Sequence, residues 1–139
     1  MNDGITINNF IYKLWENFFP HTEKNNLIYY GRTKGWIDDY DERNLSSFID
    51  RRTAAKIIHL FIRIELKIRD LDNINMAKEL TDLYTCRVCS NHIAQAYLRH
   101  FFIPEEIEYN GEIIKIFNHL KMVSILESEQ IIEKIKNLV

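Results

Sequence analysis

Apolar residues recur at spacings of three and four through most of the chain, the mark of helices with one face turned inward. Ile7, Phe10, Ile11, Leu14, Trp15 and Phe18 define such a face, and the helix they predict ends before Pro20. Leu27, Ile28 and Tyr30 predict a shorter helix within 24–35, stopped at Gly35, and the polar run 38–44 reads as an irregular loop. The strongest helical pattern covers 51–68, with Ala54, Ile57, Ile58, Phe61 and Ile64 on one side and Asp50 placed to cap the first turn. After the polar connection 72–75 come a short helix over 76–80 and a longer one over about 87–102, carrying Val88, Ile93, Ala96, Tyr97 and Phe101 and ended by Pro104. Asn110-Gly111 between β-prone residues is a hairpin signal. Ser124 and Glu127 form a Ser-x-x-Glu capping box, followed by Ile125, Leu126, Ile131, Ile132 and Ile135 at helical intervals.

The two halves of the chain can be laid over each other. Ile28, Gly31, Gly35, Trp36 and Ile37 align with Ile93, Ala96, His100, Phe101 and Phe102 at an offset of about 65 residues. Asp50, Thr53, Ala54, Ile57 and Ile58 align with Ser124, Glu127, Ser128, Ile131 and Ile132 at an offset of about 74, and one insertion at the Asn-Gly hairpin reconciles the two. The expected fold is therefore all-α: an N-terminal helix (1–19), two helix-loop-helix repeats (20–70 and 71–139) packed as one compact domain, and at most one small β-hairpin.

A short helix ending in Ile-x-x-small-x-x-x-Gly, a loop and a capped helix rich in Ala and Ile resemble the unit of the S-layer homology family, whose second helix opens on Thr-Arg-Ala-Glu. Asp50-Arg51-Arg52-Thr53 keeps a capping residue and the Arg of that motif; Ser124-Ile125-Leu126-Glu127 keeps the box and loses the Arg. Leu80-Thr-Asp82-Leu83 is similar to the Phe-x-Asp-Val entry of the unit. The resemblance spans roughly residues 18–66 and 79–139 and implies a bacterial helical-repeat module that binds anionic cell-wall polymers. The family typically builds a prism from three units, and two are counted here.

Charge and composition narrow the alternatives. With 18 Lys+Arg against 20 Asp+Glu, the formal charge is −2, which argues against a dedicated nucleic-acid binder. Hydrophobic residues make up 46% of the 139 positions, enough for a core without metal or disulfide staples, while four Gly and two Pro leave little turn material for an all-β fold. The N-terminus lacks the basic and apolar regions of a secretory signal and no apolar run is long enough for a membrane span. The chain as given therefore reads as cytoplasmic, or as a cell-surface piece of a larger exported protein.

Two clusters carry candidate chemistry. Arg52, Lys56, His59, Arg63 and Lys67 fall on one side of the helix from 51, a basic stripe about 22 Å long at 1.5 Å per residue. Joined by Arg51 beside the cap, and by Trp36 and Tyr40 near the inter-repeat groove, Arg52, Lys56, Arg63 and Lys67 form the expected binding surface for an anionic polymer or an acidic protein partner. The bland reading of the stripe is the solvated face of an amphipathic helix. Cys86-x-x-Cys89-x-x-His92 has a spacing used both for metal ligands and for redox pairs. An unbroken helix cannot bring all three side chains to one zinc ion, but Cys86 and Cys89 with His92 can approach one if Cys86 lies at the helix start. A thiol there, next to Arg87, favours its reactive form, whereas free Cys most often packs as a small hydrophobe, and that third reading is the preferred one. No catalytic constellation is visible, so the leading expectation is a non-catalytic binding module without a cofactor, open to homo-oligomerisation. Its rival is a small metal- or thiol-dependent regulator using Cys86, Cys89 and His92, with zinc as the metal.

Overall fold

The computed structural model describes residues 3–22 and 24–139. It is mostly helical: α1 (Ile7–Phe18), α2 (Leu27–Lys34), α3 (Asp39–Arg43), α4 (Arg51–Ile64), α5 (Ser90–Leu98), a hairpin of β1 (Glu105–Tyr109) with β2 (Glu112–Ile116), and α6 (Ile125–Lys136). Short 3-10 turns at Asn75–Glu79 and Leu83–Thr85 lead into α5. The hairpin turns at Asn110 and Gly111, both at positive φ, which is the backbone that Asn-Gly supplies at little cost. Among the described residues no helix is long and apolar enough to cross a membrane.

Three boundaries differ from the sequence expectation, each for a local reason. Residues 38–44 are not a loop, because Asp38 and Asp41 cap each other reciprocally and start α3, with Asp41 Nα to Asp38 Oδ1 at 2.9 Å and Asp38 Nα to Asp41 Oδ2 at 3.0 Å. Helix α4 stops at Ile64 instead of 68; Lys67 takes a left-handed conformation and the Ile68 amide reaches back to the Ile62 carbonyl. Helix α5 is shorter than 87–102, because Cys86 is extended and Cys89 is the cap.

One apolar core runs through the chain, from Ile5 to Ile135. At one end Trp15, Trp36 and Phe61 meet, Trp36 wholly buried and its indole N–H donating to Glu65 Oε2 at 2.9 Å. Gly31 lies so close to this cluster that a Cβ there would sit 2.3 Å from Ile37 Cδ1, so the position has room only for hydrogen. Helix α4 runs through the middle, burying Ala54, Ala55, Ile57, Ile58, Phe61 and Ile62 around most of its circumference.

Helices α1, α4 and α6 each begin in the same way. Thr6, Asp50 and Ser124 accept a hydrogen bond from the backbone N–H three residues on, at 3.1, 2.8 and 2.9 Å. The residue before each cap is buried, and these three residues are joined in a closed ring: Ile5 N–H donates to Val123 O (3.3 Å), Val123 N–H to Ile49 O (2.9 Å), and Ile49 N–H to Ile5 O (2.9 Å). A second ring surrounds the first, with Ile7 N–H donating to Ser47 O, Arg51 N–H to Lys121 O and Ile125 N–H to Asp3 O. The three segments thus satisfy each other's backbone groups in a cyclic pattern, where none has a sheet to join.

Helices α2 and α5 also end alike. Gly35 and His100 are both left-handed, and the residues after them, Trp36 and Phe101, donate to the carbonyls of Gly31 and Ala96, each at 3.1 Å. Asp82 closes the second half: its carboxylate accepts from the Phe117 and Asn118 amides at 2.7 and 2.8 Å, fixing the chain between β2 and α6.

Candidate functional site

The structure divides the expected binding surface. Arg51, the first residue of α4, points inward and is 4% exposed. Its Nη1 donates to the carbonyls of Ile103 (3.1 Å) and Phe117 (2.9 Å), and its Nη2 pairs with Glu127 Oε2 at 3.0 Å. Glu127 therefore spends its carboxylate on Arg51, and only the Ser124 half of the expected capping box is made as a cap. Trp36 is a core side chain. Neither Arg51 nor Trp36 can touch a ligand on the surface, a correction that follows from α4 being packed on nearly every side and from Trp36 being enclosed by Trp15 and Phe61. His59, placed on the basic stripe by its helical angle, is buried for the same reason.

Arg63 and Lys67 are exposed further along, Arg63 facing Asp70 at 3.5 Å. The remaining members come together with the second cluster. Arg52, Lys56 and Tyr40 line an open groove of about 390 Å³, whose other wall carries Cys86, Val88, Cys89 and His92. Sequence reasoning held these two motifs apart; α4 packing on α5 brings them face to face.

Lys56 is committed to the fold. Its ammonium contacts Asp38 Oδ2 at 2.6 Å and both Asp41 oxygens at 2.8 Å, at the wall between α3 and α4. Burial pushes Asp41 above the usual carboxylate range even with Lys56 beside it. Burial acts in the same direction on Asp38, but the Lys56 contact and the Asp41 amide outweigh it and hold that carboxyl low. Arg52 has no ion-pair partner among the described residues, and Tyr40 is 53% exposed, so these two are the side chains the groove offers to a ligand.

On the opposite wall, Cys86 and Cys89 are joined to each other in a disulfide. They are therefore neither packed free thiols nor thiolate ligands in this form, and the expected metal set of Cys86, Cys89 and His92 is not assembled. Among the described residues no group of three His, Cys, Asp or Glu is arranged to hold a metal ion.

His92 belongs to a chain of contacts that sequence spacing did not reveal. His59 Nε2 lies 2.7 Å from Asp70 Oδ1, and His59 Nδ1 lies 2.7 Å from His92 Nδ1. Burial is the largest influence on His59 and holds it below its ordinary proton affinity against the pull of Asp70, so the ring is neutral with one N–H. The Asp70 carboxylate takes that hydrogen at Nε2, which leaves His59 Nδ1 as an acceptor. His92 must then donate from Nδ1, and its Nε2 is left as a bare acceptor on a ring that lines the groove.

Burial first, then repulsion from His59 once it is protonated and from Lys56 and Arg63, lower the His92 pKa to about 4 against the opposing effect of Asp70. The unfolded chain thus binds a proton at this position from pH 6.5 downward, while the fold does so only near 4. The sign of linkage makes stability fall as pH drops through that window. Urea unfolding followed from pH 7 to 4 should show this decline, and His92→Gln should flatten it; an unchanged slope in the variant would mean that His92 binds its proton equally well in the folded and unfolded chain.

The chain matches no protein-family model, and no curated protein and no solved structure matches it.

Proposed function

We propose that this chain is a non-catalytic binding module resembling the S-layer homology family, which takes an anionic cell-wall polymer in the groove offered by Arg52 and Tyr40. The observation that carries the reading is the closed ring of backbone hydrogen bonds among Ile5, Ile49 and Val123, each standing directly before a capped helix. A prism of three units needs three equivalent helix starts around one axis, and the N-terminal helix supplies the third, which the count of two repeats left out. The matching left-handed ends of α2 and α5 support the same repeat arrangement, as does Arg51 at the head of one unit pairing with Glu127 at the head of the next.

Within this reading the two arginines of Asp50-Arg51-Arg52-Thr53 divide the work. Arg51 ties units together, and Arg52 remains free to form charge-assisted bonds with carboxylate or phosphate groups, beside the exposed ring of Tyr40. A purified anionic cell-wall polymer should bind the unaltered chain and weaken with rising salt. Replacing Arg52 and Tyr40 together by Ala should lower affinity at least about tenfold, the loss expected for one charged hydrogen bond. Equal binding by the double variant, or binding of an acidic protein but no polymer, would reject the proposal.

A further inference from the structure

The groove also carries a disulfide on its wall at the head of α5, an arrangement that polymer binding does not use. Cys89 caps α5, a nine-residue helix, without accepting a side-chain capping bond, and its sulfur is held in the bond to Cys86. Once that bond opens, Cys89 sits at the head of α5, where the positive end of the helix favours its thiolate over that of Cys86 in the extended chain ahead. Cys86 lies in extended chain ahead of the helix, and both cysteines are half-buried on the groove wall, open to a small reactant.

We propose that Cys86 and Cys89 form a reversible thiol-disulfide exchange site for low-molecular-weight thiols, with Cys89 as the sulfur that carries the mixed disulfide and Cys86 as the sulfur that closes and opens the protein's own bond. In the reducing direction an external thiolate attacks the Cys89 sulfur, a mixed disulfide forms there, and Cys86 departs as thiolate. A second external thiolate attacks the external sulfur of the mixed disulfide, releasing the small-molecule disulfide and the Cys89 thiolate. Two electrons pass from two external thiols to the protein, and the protein sulfurs take up protons from solvent as their affinities require. In reverse, the Cys89 thiolate attacks an external disulfide and expels one thiolate. Cys86 then loses its proton to solvent and attacks the Cys89 sulfur, and the second external thiolate leaves. Exchange is read on the sulfurs alone, so it does not depend on any polymer binding in the groove.

The test uses the intact chain with glutathione as the probe. The folded protein, monitored by circular dichroism, should shuttle between disulfide and dithiol as the ratio of reduced to oxidised glutathione is varied. In the reduced form Cys89 should be alkylated several-fold faster than Cys86 at pH 7. Cys86→Ser should leave the first attack on oxidised glutathione unchanged and block the second, so that the mixed disulfide on Cys89 persists. Cys89→Ser should form a mixed disulfide several-fold more slowly and covers the case of a poorly folded Cys86 variant. Reduction only after unfolding, equal alkylation rates, or mixed disulfide forming as fast on Cys86 as on Cys89 would overturn the proposal. So would stoichiometric zinc in protein purified without chelator, with both cysteines held as thiolates.

Discussion

Arg51→Met should cost about 3–5 kcal/mol of unfolding free energy, the range for removing one partner of a buried ion pair. The side chain does three things that Met cannot. It satisfies the Ile103 and Phe117 carbonyls, neutralises Glu127, and lays its guanidinium about 5.8 Å from the centre of the Phe102 ring. The carbonyls flank the hairpin on either side, so loss of Arg51 should loosen β1–β2 before it affects α1 or α2. Urea unfolding gives the total, and hydrogen exchange gives its distribution. Arg51→Met combined with Glu127→Gln removes the stranded carboxylate and should recover part of the loss, while the two orphaned carbonyls keep the rest. A cost below about 1 kcal/mol would show that Arg51 behaves as a surface cation.

That residue also shows how far sequence carries and where it stops. The cap at Asp50 placed Arg51 and Arg52 at the head of a basic helix, and this is where they are. What the cap cannot supply is the number of neighbours. Helix α4 packs against α5 on one side, the Trp36 cluster on another and the hairpin exit at its head, so charged positions on its nominal outer face turn inward and find partners. Each inward cation is matched from a segment remote in sequence, Arg51 by Glu127 and Lys56 by Asp38 and Asp41. Charge patterning within one helix carries no record of such pairs.

The helices themselves were legible where both a cap and an apolar stripe were present, as in α1, α4 and α6. Helix α3 was not, because five residues offer too little period and the Asp38/Asp41 box resembles a solvated acidic loop. The likeness of the α1 start to those of α4 and α6 was missed although a signal exists. Ile5-Thr6-Ile7, Ile49-Asp50-Arg51 and Val123-Ser124-Ile125 share an apolar residue followed by a capping residue, and comparing caps instead of whole repeats would have brought α1 into register. At the candidate site, Cys86, Cys89 and His92 were found by spacing. Their partners His59 and Asp70 were hidden because the contact joins α4, the segment after it and α5 across 33 residues.

Lys56→Met should be the most damaging change at the groove itself, with a cost again of about 3–5 kcal/mol, because Asp41 is fully buried and would lose its counter-ion. The pH dependence separates this explanation from simple loss of packing. Without the ammonium, burial raises Asp41 still further above its unfolded value of 3.8, so the folded variant takes up a proton at a pH where the unfolded chain does not. The Asp41 contribution to the variant's stability must then rise on acidification from neutral pH, against the decline that His92 sets in both proteins, until the unfolded carboxyl is protonated too. In the unaltered chain Asp38 works the other way, since its folded pKa is held low and its contribution is lost as pH falls below about 4. The gap between the two proteins should therefore be widest near pH 7 and narrow steadily toward pH 4. Asp41→Asn in the Lys56→Met background should close much of the gap at neutral pH by removing the buried charge. A gap that is constant with pH, or that Asp41→Asn leaves unchanged, would mean that Lys56 contributes its methylene stem to packing and not its charge to the pair.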